Sequence, residues 1–415
     1  MRLRSLLLLF LTATLSLAHA APMIDLGIDT LRESGFAMLK GKRVGLLSHP
    51  AGVDKYGRPT WRVLQQAPGV NLVALFGPEH GIDGHTPASQ AVEHSTHQPS
   101  GLPAYSLYGD FNKRPSKEML AQIDVLVIDL QDLGVRSYTF ISAMKYAMEA
   151  CFENDVEVMV LDRPNPLGGL KVDGPPLDPK WKSYVGEFHV PYVFGMTIGE
   201  LAVMCKKEPG VLEVSDEVRR KGRLMVVPMK GWKRDMLWPQ TGLNWVPTSP
   251  NIPDLSAAMG YSMTGLGSLG GNWGHGVGTQ YSFRMIYFPG RSPEAIKRML
   301  ETYNIPGLGY ELTVGQNAKG TNFPGVYLLV NNWDQLDPCA ISFYMMRLNC
   351  MWSEQNPFVE MSQKDRRSFL IHVGDPEWLE ELQTRGANAR VELFLQNWKQ
   401  QALAFQQKSR RYWLY

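Results

Sequence analysis

Four apolar, strand-like runs in the first half of the chain each end abruptly in a compact polar segment. Helical patterns separate these runs, as expected for a parallel sheet with right-handed crossovers. All strands of such a sheet point one way, so their carboxyl ends open onto one crevice, where these folds bind ligands. We therefore predict an α/β domain whose polar strand ends form one site. The runs and the segments that follow them are Arg43–Leu47 with Ser48–Pro50, Asn71–Phe76 with Gly77–Gly81, Asp124–Ile128 with Asp129–Asp132, and Val156–Leu161 with Asp162–Pro166.

The N-terminus has the pattern of a cleaved secretory signal. Arg2 and Arg4 precede a short apolar stretch, Leu6–Leu17, which Ala18–Ala20 closes with small residues. A basic start, an apolar core and a small-x-small end are typical of signal peptides. We therefore predict that residues 1–20 are a signal peptide and that the protein is secreted, to the periplasm. No later segment has the roughly 20 continuous apolar residues that a membrane span needs.

The charge balance argues against nucleic acid as a partner. The chain has 42 basic and 40 acidic residues, and loss of the signal peptide makes the two numbers equal. No basic cluster stands out, and such a cluster is the electrostatic footprint of a nucleic-acid binder. The sequence does not indicate an oligomeric state.

Four cysteines would lie in an oxidising compartment if the chain is exported. If a disulfide forms, we expect Cys339 and Cys350 to be the pair, although the sequence does not indicate whether one forms. Cys151 lies in an apolar helical pattern and is expected to be a small buried hydrophobe.

The amino-acid composition of the sequence changes near Trp238. Prolines punctuate the next stretch, which continues into the glycine-rich segment Gly260–Gly278. This pattern indicates a domain junction or a loop packed over a site. Short β-rich runs, Tyr281–Phe288 and Gly325–Val330, then mix with helices, the last of which is predicted from about Val391 to Ser409. A second, α+β domain follows from this pattern.

Glu79 is the leading candidate for a catalytic residue. Its strand ends in Gly77-Pro78, which predicts a tight turn that presents the glutamate at the rim of the sheet. A carboxyl partly desolvated beside His80 would have a raised pKa and serve as a general acid or base. The alternative is a carboxylate that only accepts hydrogen bonds from loop amides.

Two further strand ends carry acids, amides and an arginine. The first strand is followed by Asp129, Gln131 and Asp132, and the next by Asp162, Arg163 and Asn165. One acid at each strand end often anchors the neighbouring loop, so a structural role stays open for both. A guanidinium matches a carboxylate bidentately, so arginine, here Arg163 or Arg136, would suit an acidic substrate.

Two sequence patterns resemble metal or cofactor sites, but the residues around them do not fit such a site. His94 and His97 lie in a polar loop without an acid at a standard ligand spacing. Gly265–Gly270 matches a dinucleotide fingerprint, but more glycines follow it instead of a helix, and no βαβ unit surrounds it. The G-x-S-x-G elbow of serine hydrolases is absent. We therefore predict neither a metal nor a cofactor.

Several long motifs together resemble one family. The chain is similar to the NamZ (YbbC-like) exo-β-N-acetylmuramidases, glycoside hydrolase family 171, from about Asp25 to the last residue. The resemblance implies a Rossmann-like catalytic domain over residues 21–245 and an auxiliary α+β domain over residues 246–415. The motifs that carry it are Gly77–Gly81, Asp129–Arg136 with Tyr138-Thr139, Asp162–Gly169, Gly195–Glu200, Gly231-Trp232, Ser249–Pro253 and Tyr412–Tyr415.

The resemblance also implies a substrate and a set of site residues. It implies release of N-acetylmuramic acid from the non-reducing end of peptidoglycan fragments, with Glu79 protonating the leaving oxygen. A second carboxylate, Asp129 or Asp162, would activate water or stabilise the cationic transition state, and the carboxyl separation would decide the stereochemical course. An arginine would meet the lactyl carboxylate of the sugar. The substrate-binding candidates are His80, Gln131, Arg136, Tyr138, Arg163, Asn165, Asn272 and His275.

Two loops depart from the family pattern. Asp83–His85 stands where family members commonly have Arg-Gly-Asp, and His275 and Val277 stand where they have glutamate and arginine. These departures keep two alternatives open. One is a catalytically idle protein that binds muropeptides, and the other is a glycosidase for another acidic or N-acetylated sugar.

Overall fold

The computed structural model describes residues 23–87, 90–91, 93–109 and 113–415. The predicted signal peptide, residues 1–20, lies outside the described residues. Within these ranges, no helix combines the length and the apolar character needed to cross a membrane.

The first half of the described chain forms a seven-stranded sheet with the order β3-β4-β2-β1-β5-β6-β7. Its neighbours pair in parallel, except for β3, which runs antiparallel to β4 at the edge. The predicted α/β class is therefore confirmed. The strands are β1 (Arg43–Ser48), β2 (Asn71–Gly77), β3 (Ser95–His97), β4 (Leu102–Ser106), β5 (Val125–Asp129), β6 (Glu157–Leu161) and β7 (Leu224–Val227).

Both faces of this sheet are buried. In β5, Leu126 and Ile128 pack into one hydrophobic cluster, whereas Val125 and Val127 pack into a second cluster on the other face. This alternation is the period of two that a pleated strand imposes. Parallel strands with helices on both faces therefore appear in the sequence as continuous apolar runs.

Helices connect the parallel strands, and their caps agree with the sequence. A capping box is present at the start of α5, where the Thr197 hydroxyl accepts from the Glu200 amide and the Glu200 carboxylate accepts from the Thr197 amide. Ser116 caps the short helix α3. The helices of this half are α1 (Gly27–Glu33), α2 (Thr60–Gln65), α3 (Lys117–Leu120), α4 (Phe140–Glu153), α5 (Ile198–Lys207) and α6 (Asp216–Lys221). The next helix, α7 (Leu255–Thr264), belongs to the second half.

The second half is the predicted smaller α+β domain. Its antiparallel sheet has the order β8-β10-β9, and α12 has the predicted bounds. Ser292 and Asp375 cap α8 and α11, each with proline at the first helical position. The elements are β8 (Met285–Ile286), α8 (Pro293–Glu301), β9 (Leu308–Gln316), β10 (Asn322–Val330), α9 (Ala340–Trp352), α10 (Gln363–Val373), α11 (Pro376–Arg385) and α12 (Val391–Ser409).

One hydrophobic core joins the two halves. The cluster that contains Leu126 and Met144 also contains Ile286 and Trp378. The chain then returns to the first sheet, where the hydroxyl of Tyr415 donates to Asp162 over 2.8 Å. The C-terminal motif of the sequence therefore closes the second domain onto the first.

The predicted disulfide between Cys339 and Cys350 is wrong in this structure, in which all four cysteines are free. Cys339 is the N-cap of α9, and Cys350 lies about three turns further along the same helix. The helical rise separates their Cα atoms by about 16 Å, whereas a disulfide needs less than about 7 Å. The prediction that Cys151 is buried is confirmed.

Candidate active site

Glu79 sits in a tight turn directly after β2. The amide of Gly81 donates to the carbonyl of Pro78, and a Cβ on Gly77 would lie 2.5 Å from the amide nitrogen of Ile82. The turn therefore requires glycine where the strand ends. His80 has a left-handed backbone (φ +72°), and its Nδ1 donates to the carbonyl of Thr86 over 2.8 Å. Such backbone strain is found most often at functional sites.

A cavity of about 270 Å³ opens beside this turn, between the two domains. The hydroxyl of Thr139 donates to Oε2 of Glu79 over 2.7 Å. Thr139 is the N-cap of α4, yet its side chain makes no capping bond, because it turns to the glutamate instead. The lining residues are Glu79, His80, Ser137, Tyr138, Thr139, Phe140, Val185, Ser249, Asn251, Ile252, Tyr261, Phe283 and His372.

Aromatic rings form one wall of this cavity. Tyr138 packs edge-on against Phe140, and Tyr261 packs edge-on against Phe283, with centroids 4.8 Å and 5.0 Å apart. The Ser137 hydroxyl lies 3.0 Å from the hydroxyl of Tyr261. Phe283, like His80, has a left-handed backbone (φ +59°). The wall offers apolar faces and hydroxyls together, a combination that suits a sugar ring.

Asp129 and Arg163 form a buried ion pair at the neighbouring strand ends. Nε and Nη2 of Arg163 donate to the Asp129 carboxylate over 2.5 Å and 3.0 Å, and the Thr60 hydroxyl donates to it as well. Arg163 also donates to the carbonyl of Val53. Asp129 is fully buried, and neither residue lines the cavity beside Glu79. The structure therefore places this pair inside the fold.

Asp162 is also fully buried and satisfied within the fold. Its carboxylate accepts from the Thr197 hydroxyl (2.7 Å), the Gly199 amide (2.8 Å) and the Tyr415 hydroxyl (2.8 Å). Burial, with the nearby Glu200 carboxylate, raises the pKa of Asp162 to about 6. Asp162 thus links the end of β6 to α5 and to the C-terminus, away from the cavity.

Gln131 and Asn165 also hold loops together. The Gln131 amide group donates to the carbonyls of Asp132 and Pro164, and that of Asn165 donates to the carbonyl of Met196. Gln131 lines, with Arg163, a separate small cavity of about 30 Å³, room for about one water molecule. The structure does not bring either amide to Glu79.

The expectation that Arg136 binds a substrate carboxylate needs correction. Its side chain is fully buried, and Nη1 donates to the carbonyls of Pro175 and Val190. Nη2 donates to the carbonyls of His372 and Val373. Four of its five N–H groups are therefore used on the protein backbone. Arg136 joins the two domains behind the cavity.

Asn272 lies away from the cavity, where its amide group donates to Asn349 and Ser353. His275 does not line the cavity either, but its ring packs edge-on against the lining residue Phe283, 4.8 Å between centroids. Burial lowers the pKa of His275 to about 4. His275 therefore supports the wall from behind.

The other departures from the family pattern lie at the surface. His85 and Val277 are exposed, and Asp83 pairs with Nε2 of His97 over 3.2 Å. His94 accepts from the backbone amide of Ser106. The described residues contain no group of three or more side chains placed to hold a metal ion.

Asp132 is a buried acid at the same strand end as Asp129 and Gln131. Its Oδ2 accepts from the Gly134 amide over 2.7 Å, whereas its buried Oδ1 has no hydrogen-bond partner among the described residues. Burial raises the pKa of Asp132 to about 7. Burial, with the negative charge of Asp132 as a smaller cause, raises the pKa of the lining residues Tyr138 and Tyr261.

Comparison with known proteins identifies the family. Residues 44–256 match the N-terminal model of "exo-β-N-acetylmuramidase NamZ", and residues 259–415 match its C-terminal model. The chain belongs to the NamZ family. It is 37% identical over 350 residues to the peptidoglycan β-N-acetylmuramidase NamZ of Bacillus subtilis (strain 168), covering 83% of this chain and 82% of that relative. The sequence resemblance is therefore confirmed.

Two solved structures have the same architecture as this NamZ family member. Both are DUF1343 family proteins from Bacteroides fragilis NCTC 9343. One is 37% identical with a TM-score of 0.84, over 95% of this chain and all of that one. The other is 26% identical with a TM-score of 0.69, over 94% and 99% of the two chains.

Much of the lining was missed because it comes from the second half of the chain. These lining residues are Ser249, Asn251, Ile252, Tyr261, Phe283 and His372. The proline-rich segment near Pro250 was the one signal, since it indicated a loop packed over a site. Tyr261, Phe283 and His372 lie in ordinary helical or glycine-rich stretches with no local mark of function.

Proposed function

We propose that this protein is an exo-acting glycosidase that releases N-acetylmuramic acid from the ends of peptidoglycan fragments. The observation that carries this proposal is the position of Glu79. Among the described residues that line the cavity between the domains, it is the one carboxyl group. Membership in the NamZ family, with 37% identity to a peptidoglycan β-N-acetylmuramidase, supports the same reaction.

In this proposal, Glu79 protonates the glycosidic oxygen as the bond to the sugar breaks. The Thr139 hydroxyl orients its carboxyl group, and the tight turn after β2 fixes its backbone. The positions of Tyr138, Tyr261 and Phe283 fit contact with the apolar face of a sugar ring. Such walls also exclude water, which strengthens electrostatic interactions inside the site.

The second carboxylate is not assigned to Asp129 or Asp162. Each is fully buried, and each accepts at least three hydrogen bonds from neighbouring side chains and amides. Moving either to the substrate would break a buried network, which is costly. Asp132 is not among the described residues that line the cavity, so it is not assigned as the second carboxylate either. The stereochemical course stays open, since it depends on a second group at a measured separation.

Recognition of the lactyl carboxylate is expected to differ from the arginine contact that the sequence suggested. None of the described lining residues is an arginine or a lysine, and Arg136 and Arg163 are both engaged inside the fold. The polar groups left at the cavity are two histidines, hydroxyls and one asparagine. Selection of muramic acid would then rest on hydrogen bonds and shape more than on ion pairing.

A panel of chromogenic glycosides tests the proposed function. The β-N-acetylmuraminide should be hydrolysed, whereas the β-N-acetylglucosaminide, which lacks the lactyl group, should react far more slowly. Glu79→Gln serves as the control, because it keeps the shape of the side chain and removes the proton. Preferred release of another sugar would indicate the alternative glycosidase. Binding of N-acetylmuramic acid in calorimetry, with no sugar released on long incubation, would indicate a binding protein.

We also propose that the chain is exported, as the pattern of residues 1–20 predicts. Peptidoglycan lies outside the cytoplasmic membrane, so export would bring the enzyme to its substrate. Fractionation of cells that express the full chain should give the processed protein in the periplasmic or secreted fraction. Retention of the unprocessed chain in the cytoplasm would contradict this part of the proposal.

A further inference from the structure

His372 of the second domain is one of the residues that line the cavity beside Glu79. It lies in the last turn of α10, 97 residues beyond His275, the last site residue that the sequence suggested. The residue as a whole is partly accessible to solvent.

The hydrogen bonding of this ring determines what it can offer. Nδ1 of His372 lies 2.7 Å from the carbonyl oxygen of Ser368, which can only accept, so Nδ1 carries a proton. In a neutral imidazole the other nitrogen, Nε2, is then an acceptor. Nε2 has no hydrogen-bond partner among the described residues and is the ring atom left for a ligand. Burial, with the nearby Arg136 guanidinium, lowers the pKa of His372 and so favours the neutral ring.

Arg136 holds the backbone of this histidine. Its Nη2 donates to the carbonyls of His372 and Val373 over 2.9 Å and 2.8 Å. Its Nη1 donates to the carbonyls of Pro175 and Val190 in the first domain. The guanidinium therefore fixes the end of α10 against the catalytic domain.

The helix must end abruptly for Arg136 to reach these carbonyls. Gly374 follows α10 with a left-handed backbone (φ +82°), and a Cβ there would lie 2.7 Å from Nη2 of Arg136. Only glycine combines this conformation with so close an approach. The glycine at position 374 thus allows Arg136 to approach the end of α10.

We propose that His372 is a substrate-binding residue whose Nε2 accepts a hydrogen bond from a hydroxyl or the acetamido N–H of the sugar, and that Arg136 is its positioning residue. This inference rests on the proposed function and extends it, because it makes the second domain part of the sugar site. A neutral acceptor suits an uncharged donor of the sugar and not its carboxylate.

The first experiment compares His372→Phe with His189→Phe on the chromogenic muraminide. His189 is a matched control, since its Nδ1 also bonds a backbone carbonyl, that of Leu177, but it lies outside this cavity. Loss of one neutral hydrogen bond should raise KM about tenfold in His372→Phe, with kcat nearly unchanged. His189→Phe should behave as wild type. An unchanged KM in a folded His372→Phe protein would overturn the inference.

The second experiment tests the positioning role of Arg136. A lysine cannot bridge four carbonyls, so Arg136→Lys should lower the melting temperature and raise KM. If Arg136 acts through His372, Arg136→Lys should raise KM in the wild-type background but not in the His372→Phe background. Multiplicative effects of the two changes on KM would contradict the positioning role, whatever the melting temperature does.

Calorimetry separates this inference from the proposed function. The Glu79→Gln protein is titrated with N-acetylmuramic acid, with and without His372→Phe. Weaker binding by the double variant supports the histidine contact even if the wild-type chain releases no sugar, in which case only the proposed function fails. Equal binding by both proteins overturns the histidine contact and leaves the hydrolase proposal intact. Absence of binding to either protein overturns both.

Discussion

Two parts of the same sheet edge carry acidic side chains with opposite surroundings. After β2, Glu79 stands on a tight turn and faces a cavity. After β5 and β6, Asp129 and Asp162 are fully buried among donors from neighbouring loops. The sequence patterns before all three are alike. An acid at a strand end can therefore be catalytic or structural. The residues packed around its carboxyl group determine which role it has.

The two surroundings have different physical consequences. A buried carboxylate must have enough partners to offset its lost hydration, and removing a partner leaves an uncompensated charge. A carboxyl group that faces a cavity can instead contact a substrate. Substitutions at the two places should therefore separate turnover from stability.

The largest effect is expected for Glu79→Gln. Loss of the general acid should reduce kcat by about a thousandfold, while the melting temperature should stay close to that of wild type. Steady-state kinetics on the chromogenic muraminide and thermal unfolding check both parts. Near-normal turnover would show that Glu79 is not the general acid. The contrast between a catalytic Glu79 and structural Asp129 and Asp162 would then be lost.

Asp129→Asn should show the opposite pattern. Breaking the buried pair with Arg163 should lower the free energy of unfolding by about 3–5 kcal/mol, which denaturant titration measures. Asp124→Asn is the matched control at the other end of the same strand segment, where the pair with Arg43 is exposed and should contribute little. A stable Asp129→Asn protein that loses turnover as fully as Glu79→Gln would return Asp129 to a catalytic role.

Asp132→Asn tests the same contrast through pH, because this acid is buried but one of its carboxyl oxygens has no hydrogen-bond partner among the described residues. Burial raises its pKa in the folded state to about 7 from an ordinary value of 3.8. The folded state then binds the proton more tightly than the unfolded chain, so this group makes the wild-type protein less stable as pH rises from about 4 to about 7.

Asparagine does not titrate, so this loss should be absent in Asp132→Asn. Unfolding titrations at several pH values should therefore show the variant gaining stability relative to wild type as pH rises, with the difference constant above about pH 8. A difference that does not change with pH would mean that Asp132 keeps an ordinary pKa.

Tyr415→Phe should have the smallest effect. It removes the hydroxyl that donates to Asp162 and accepts from the Met229 amide, both over 2.8 Å. The expected loss of stability is about 1–2 kcal/mol, with kcat unchanged, and denaturant titration measures it. Tyr56→Phe, at an exposed site, is the control. A large loss of turnover in Tyr415→Phe would link the buried network to catalysis after all.

The main features of the fold were predictable because they depend on local patterns. The apolar runs predicted β1, β2, β5 and β6 to within a residue or two at each end. Cap signals at Thr197, Ser292 and Asp375 marked helix starts, since a side chain near an orphan amide needs no distant partner. The disulfide was mispredicted, because a helix that separates Cys339 from Cys350 leaves no mark in their spacing.

The sequence by itself determined the α/β sheet, the smaller second domain and the tight turn that carries Glu79. These follow from side-chain period, caps and glycine conformations, all of which act over a few residues. The tertiary structure decided that Arg136 and Asp162 are buried and that Tyr261 and His372 face Glu79. That outcome depends on which distant segments meet, and hydrogen bonds formed across such contacts have no local signature in the chain.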